Sequence, residues 1–179
     1  MQNAFLLLAS YTFYGWWDWR FLSLIIFSTL IDYFVGLRIA SANSPKKSKL
    51  WLVVSLVINL GLLGFFKYFN FFVDSWVAIW GEFGIIVDPW SLNIILPVGI
   101  SFYTFQTLSY SIDIYRGQLK PTKDLLSFAV FVSYFPQLVA GPIERAKVLL
   151  PQISSARKFS IKNFEEGIFL ILIGFSSKA

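Results

Sequence analysis

Between Leu50 and Trp80 the chain runs 31 residues with Lys67 and Asp74 as its only charges. As a helix this block reaches roughly 46 Å, more than the roughly 30 Å of a bilayer's hydrocarbon core. It must tilt, break or emerge, and Lys67 is the expected point. A soluble domain carries about 25% charged residues to solvate its surface. This chain has 14%, against 56% hydrophobic and 20% aromatic residues, too few polar groups to cover itself. Disorder, coiled coil, collagen and a soluble enzyme core are excluded, and an all-α polytopic membrane protein remains.

Other apolar blocks flank this one. Ala4 to Trp17 spans 14 residues, short of the roughly 20 that cross a bilayer. Its start, Met1-Gln2-Asn3, lacks the basic opening of a signal peptide, and no small-residue cleavage site follows. It reads as a spanning helix truncated at its N-terminus. Tyr14 to Phe21 (YGWWDWRF) fits an aromatic belt at a membrane surface. Phe21 to Ile39 forms a second span, with Asp32 near its end. Ile94 to Ile112 holds 19 uncharged residues, and Pro97 with Gly99 predicts a break near its start. Leu125 to Ala140 is apolar but, at 16 residues, too short to span comfortably. A further apolar segment begins at Ile168. There is no internal repeat or low-complexity tract.

Basic loops set the orientation. The turn at 42–49 (ANSPKKSK) is placed in the cytoplasm, and the acidic loop Gly81–Asn93 then falls outside. Arg116, Lys120 and Lys123 return to the cytoplasmic side. If Leu125–Ala140 crossed the membrane, Arg145, Lys147, Arg157, Lys158 and Lys162 would all lie outside, against the rule. A short re-entrant segment, returning to the side it left, resolves the conflict. Backbone of that kind is tolerated only inside protein or beside water, so it marks the expected functional interior. The net charge of +5 then reports basic cytoplasmic loops rather than nucleic-acid binding.

The chain has no Cys and no His. Disulfides, a thiol nucleophile, Cys-based metal sites and the commonest general base are therefore excluded. No metal-ligand cluster or nucleotide fingerprint appears either.

Several polar groups lie within apolar stretches. A charge near the membrane centre costs from about 2.5 kcal/mol upward, so Asp32 either faces a partner or water or, the reading preferred on its position, is an interfacial carboxylate reaching toward headgroups. Lys67, Asn70 and Asp74 share one helix face and read as an exposed helix end. Thr104, Thr107 and Ser111 share one face of the next span; Tyr103, Gln106 and Tyr110 share a neighbouring one. Such groups either bond neighbouring helices or face water, and both readings stay open. Asp113 and Arg116 are spaced to pair. In Phe135–Arg145, two prolines and a glycine argue against a regular helix and leave backbone groups free. Beside them, Gln137, Glu144 and Arg145 suit an acyl or phosphate-bearing donor, Arg145 by its planar fork.

Four stretches together resemble the membrane-bound O-acyltransferase family, in its alginate O-acetyltransferase branch. They are Tyr14–Asp18, Phe66–Phe72, the Pro97–Gly117 run ending in Ile112-Asp113-Ile114-Tyr115-Arg116-Gly117, and Phe135–Gln137 with Gly141–Arg145. The D-alanyl transfer protein of lipoteichoic acid synthesis is a sibling. The resemblance implies a ring of membrane helices around a thin centre with a tunnel. It implies an acyl donor such as an acetyl thioester, a polysaccharide hydroxyl or acyl-relay protein as partner, no bound cofactor, and a multi-pass place in the bacterial inner membrane. Family members use a later histidine as general base. By that pattern residues 1–179 form the N-terminal-side portion of one acyltransferase domain, without the catalytic part or the first helix, and inactive alone. Tyr103, Gln106, Asp113, Arg116, Gln137, Pro142, Glu144 and Arg145 are the expected tunnel or substrate residues, with no catalytic residue in this chain. A transporter component or a structural membrane subunit is the competing reading, though the inverted repeat and paired charges of a transporter are not found.

Overall fold

A computed structural model describes residues 1–85, 97, 99–157 and 160–177. Seven helices account for the described residues, with no strand among them. They are α1 (Gln2–Ala40), α2 (Pro45–Glu82), α3 (Ile100–Tyr115), α4 (Leu125–Ser133), α5 (Phe135–Ala140), α6 (Ala146–Ser154) and α7 (Ile161–Ser176). The Asp18–Ala40 part of α1 and the whole of α2 are long and apolar enough to cross a membrane.

Burial is arranged as lipid dictates. Ser28, Asp32, Ser55, Asn59, Thr104, Gln106, Thr107 and Ser111 are buried, while Phe5, Leu8, Val57, Phe71, Leu170 and Phe175 lie exposed. Apolar side chains cost nothing against hydrocarbon, and polar ones must find partners inside. The chain is a helical membrane protein.

The expected first two spans are one element bent at Asp18, whose φ of −160° and ψ of 114° interrupt the helix. The Asp18 carboxylate accepts from the Arg20 amide at 2.9 Å and from its guanidinium at 2.7 Å, so it caps the second limb as an N-cap Asp does. Leu7 and Tyr11 of the first limb line one groove with Ile26, Thr29 and Leu30 of the second. The limbs therefore run side by side as a helical hairpin, with Trp16 and Trp19 exposed at its tip.

Helix α2 starts where its sequence directs, with Ser44 accepting from the Lys47 amide and Pro45 in the first turn. Of the three courses open at Lys67, a break is not taken, which leaves tilt or emergence. The helix continues for 38 residues, about 57 Å, and satisfies its own backbone throughout. Only Ser55, Asn59 and Leu63 of α2 are buried, so its second half lies unpacked, with Lys67, Asn70 and Asp74 exposed as the sequence suggested. The acidic loop at 81–93 falls largely outside the described residues.

Gly99 opens α3 at φ 76°, and a Cβ there would meet Tyr14 Oη at 2.6 Å. Positive φ and close approach both call for glycine. The break expected from Pro97 and Gly99 is therefore present. α3 packs against α1, α2, α4 and α6. At Gly36 a Cβ would lie 2.6 Å from Tyr110 Cε1, which shows how closely α1 and α3 approach.

The Leu125–Ala140 stretch is two helices rather than one. Tyr134 leaves helical geometry, at ψ 100°, and separates α4 from α5. As expected, no regular helix runs through 135–145: residues 135–140 are helical, with Pro136 in the first turn, where its missing N–H is no loss, and the helix stops at Gly141. Within 135–145, irregular backbone is confined to the residues between α5 and α6.

Contacts sort the elements to two ends. At one, Tyr33 Oη donates to the Lys123 carbonyl at 2.8 Å, Asn3 Nδ2 to Ser127 Oγ at 2.9 Å, and Arg157 Nη2 to Asn3 Oδ1. Tyr115 shares a pocket with Ala42, Ser44 and Ser48 there. The basic turn at 46–49 and the loop after α3 thus lie at one end, as their charges predicted. The chain leaves this end at Asp124 and is back at it by Arg157. At the opposite end the Phe13 and Phe135 rings lie 5.3 Å apart, beside Tyr14 and Gly99.

Candidate functional site

The polar interior is built around Asp32, at 0% exposure. Ser55 Oγ donates to Asp32 Oδ1 at 2.6 Å, and Asn59 Nδ2 lies 3.0 and 2.9 Å from the two carboxylate oxygens. Asn59 Oδ1 in turn receives Ser28 Oγ at 3.1 Å and lies 3.3 Å from Thr107 Oγ1, while the Ser55 and Ser111 hydroxyls are 3.2 Å apart. The interfacial reading of Asp32 is therefore corrected: it is the centre of a network tying α1, α2 and α3. Ser28, Ser55 and Asn59 were missed in the sequence. The signal was available, since Ser55 and Asn59 lie four apart and so share one face of α2, but only tertiary packing turns that face to Asp32. Thr107 and Ser111 join the network and serve as bonds between helices.

Gln106 is buried, and its Nε2 donates to the Phe131 carbonyl at 2.7 Å. That carbonyl would take the amide of residue 135 in an unbroken helix. Gln106 thus replaces the bond lost where α4 ends. Tyr103 and Tyr110 are buried on α3; Tyr110 stacks on Phe128 at 4.6 Å and its oxygen accepts from the Thr122 amide.

Gln137 Nε2 donates to the Pro142 carbonyl at 3.0 Å, and the Gly141 amide to the Gln137 carbonyl at 2.9 Å. The turn after α5 is therefore closed on itself, with Gly141 lying where a Cβ would meet Gln137 Cα at 2.8 Å. Pro142 and Arg145 are exposed and Glu144 is half-buried. Arg145 contributes its backbone carbonyl to the first turn of α6.

Asp113 is buried near the end of α3 with Oδ2 unpartnered among the described residues, whereas Arg116 is exposed. No ion pair joins them among the described residues, because α3 ends at Tyr115 and Arg116 begins the turn to Gly117.

The eight expected residues thus occupy three places. Gln106 sits inside, between α3 and α4, and Tyr103 is buried on α3. Gln137, Pro142, Glu144 and Arg145 surround the turn after α5. Asp113 and Arg116 lie at the basic end. Their chemistry is hydrogen bonding and, at Arg145 and Arg116, exposed positive charge. No group of three or more carboxylates, histidines or cysteines that could hold a metal ion occurs among the described residues.

Similar proteins cover this arrangement almost end to end. A probable alginate O-acetylase from Pseudomonas aeruginosa is 44% identical over 99% of this chain and 34% of its own length. A probable alginate O-acetylase from Pseudomonas putida is 43% identical over 99% of this chain and 36% of its own length. A peptidoglycan O-acetyltransferase from Helicobacter pylori is 33% identical over 98% of this chain and 37% of its own length. The chain spans about a third of the length of these relatives. No family model matches it, and no solved structure does. The relatives bear out the resemblance to the alginate branch of the membrane-bound O-acyltransferases.

Proposed function

We propose that this chain, similar to alginate O-acetylases over nearly its whole length, is the N-terminal-side portion of a membrane O-acetyltransferase. The enzyme moves an acetyl group from a thioester or similar donor to a hydroxyl of an extracytoplasmic polysaccharide, alginate or a related polymer. The observation that carries this reading is identity of 43 and 44% over 99% of the chain. The relative named for peptidoglycan favours polysaccharide acceptors as a class over alginate alone.

In this reading the 179 residues supply scaffold and tunnel floor, and a histidine elsewhere in the enzyme deprotonates the acceptor hydroxyl. Leu125–Ala140, expected to return by itself to the side it left, instead runs to the opposite end beside Phe13 and Gly99. In this reading the re-entrant centre of a helix ring is therefore the longer segment 124–157. Its departure and return at one end, and the shortness of α4 and α6, at nine residues each, support that role. A nine-residue helix covers about 14 Å, half of the hydrocarbon core. The Gln137–Arg145 turn lies at the deep end of this segment, where Arg145 positions donor or acceptor. The basic end faces the cytoplasm of a bacterial inner membrane, and acyl-relay proteins meet the enzyme on the other side.

The test is acetyl transfer by the full gene product and by residues 1–179 alone, in detergent or reconstituted vesicles. The full product transfers acetyl to polysaccharide and the 179-residue chain does not. Transfer by the short chain would sink the assignment of the catalytic base to another segment. Arg145→Ala in the full product reduces transfer while leaving insertion intact; unchanged transfer removes Arg145 from the site.

A further inference from the structure

The hairpin of α1 and the start of α4 enclose a groove of about 410 Å³, lined by Leu7, Tyr11, Ile26, Leu30, Leu125 and Ala129 among others. Its wall is nearly all hydrocarbon. Thr29 also lines it, but its hydroxyl is spent on the Ile25 carbonyl at 2.6 Å, so the groove offers no hydrogen bond from that side chain. At about 30 Å³ for a water-sized group, the space holds on the order of a dozen methylenes. A sugar or a thioester would be stranded without polar partners there; a flexible hydrocarbon chain would not.

The groove is not apolar at both ends. Leu125 and Leu126 of its rim follow directly on Lys123 and Asp124, at the basic end. Lys123 is exposed, with its backbone held by Tyr33. Asn3, one helical turn before Leu7, holds the guanidinium of exposed Arg157. Neither cation has a carboxylate partner among the described residues. The nearby Asp124 carboxylate is occupied in capping α4, accepting from Leu126 N and Ser127 Oγ. Two exposed cations without a carboxylate partner among the described residues thus lie at the basic end, Lys123 next along the chain to the Leu125–Leu126 rim and Arg157 on Asn3, a turn before Leu7.

We propose that this groove seats one acyl chain of an anionic phospholipid, whose phosphate lies between Lys123 and Arg157. The apolar wall sets the tail, and the charge at the rim sets the headgroup. Basic residues at a membrane surface contribute about 1 kcal/mol each toward anionic lipid, roughly a fivefold preference apiece. The site is separate from the acetyl-transfer residues above, and its test does not read acetyl transfer.

The full gene product is reconstituted in nanodiscs of phosphatidylcholine with a minor fraction of phosphatidylglycerol, then released into mild detergent for native mass spectrometry. One phosphatidylglycerol is retained in preference to phosphatidylcholine. Ala129→Trp, which fills the groove, lowers retention of either lipid at least tenfold. Leu30→Trp, placed on the opposite wall, does the same if Ala129→Trp fails to fold. Lys123→Gln with Arg157→Gln keeps a bound lipid but loses the preference for phosphatidylglycerol. Retention unchanged by both tryptophan variants overturns the groove as the seat. A preference that survives the double charge removal overturns the headgroup assignment, and absence of any retained lipid overturns both.

Discussion

Gln106 of α3 donates through Nε2 to the carbonyl of Phe131, 2.7 Å away, in the last turn of α4. The bond crosses between two helices and takes up an acceptor that the bend at Tyr134 sets free. Removing the amide leaves a buried carbonyl without a partner, which costs about 1–3 kcal/mol. Gln106→Leu should therefore lower thermal stability in detergent by that amount, while Leu108→Met, a similar-sized change on the same helix, should cost under about 1.5 kcal/mol. Equal losses for the two would show that packing rather than this bond matters.

The Asp32 network gives a sharper test because its members lie on three helices. Asp32→Ala strands the donors Ser55 and Asn59 together, and a buried polar group left without its partner costs about 1–3 kcal/mol. Asn59→Ala removes the same link from the other side. In a double-mutant cycle the pair should couple by between about 0.5 and 3 kcal/mol. Additive single effects, measured by unfolding in detergent, would mean that the two side chains act independently.

Gly36 permits the approach of α1 to α3. Gly36→Ala places a methyl 2.6 Å from the Tyr110 ring and 3.1 Å from Ile114 Cδ1, and overpacking of this kind costs about 1–3 kcal/mol. Gly61→Ala in α2, where a Cβ meets nothing within 4 Å, should instead gain the better helix propensity, up to about 1 kcal/mol. Opposite signs in the two melting temperatures are the expected result.

Asp124 caps α4, accepting from the Leu126 amide at 3.0 Å and from Ser127 Oγ at 2.5 Å. The Ser127 side-chain bond, first, and the backbone bonds hold its carboxyl below the ordinary aspartate range. A carboxyl with a depressed folded value stabilises above its unfolded pKa and loses that contribution as pH falls through the folded one. Asp124→Ala should cost about 1 kcal/mol at neutral pH. The difference from the parent should shrink on acidification below the ordinary aspartate value. A difference that stays constant down to strongly acidic pH would show that charge plays no part in the cap.

Much of this was legible in the residues. The lysine turn, Ser44-Pro45, Gly99 and the density of hydroxyls between 101 and 111 announce element ends and a polar interior by local chemistry alone. Local chemistry has limits that Asp32 illustrates. Its sequence position near the end of a span suits a headgroup contact, and only the close approach of α1 to α2 reveals Ser55 and Asn59 as its partners. The unbroken course of α2 past Lys67 has a similar cause. A charge can end a span without ending a helix, because backbone bonding is indifferent to where the lipid stops. The candidate residues were legible as separate stretches, and Gln106, Arg145 and Arg116 do lie in separate places, since motif proximity along a chain says little about convergence across broken helices.

The reversal at Asp18 also fixes an order of events. Contacts between the two limbs of α1 join residues close in sequence, so they close small loops and form readily. The clasp at the other end is the reverse case: Gln2 and Arg157 exchange two hydrogen bonds across 155 residues. The two limbs of α1 can pair as soon as both have been made, but Gln2 stays without this contact until the chain has been extended to Arg157. The clasp therefore closes only after that whole stretch is made, and it reports that the segment between Asp124 and Arg157 has come home.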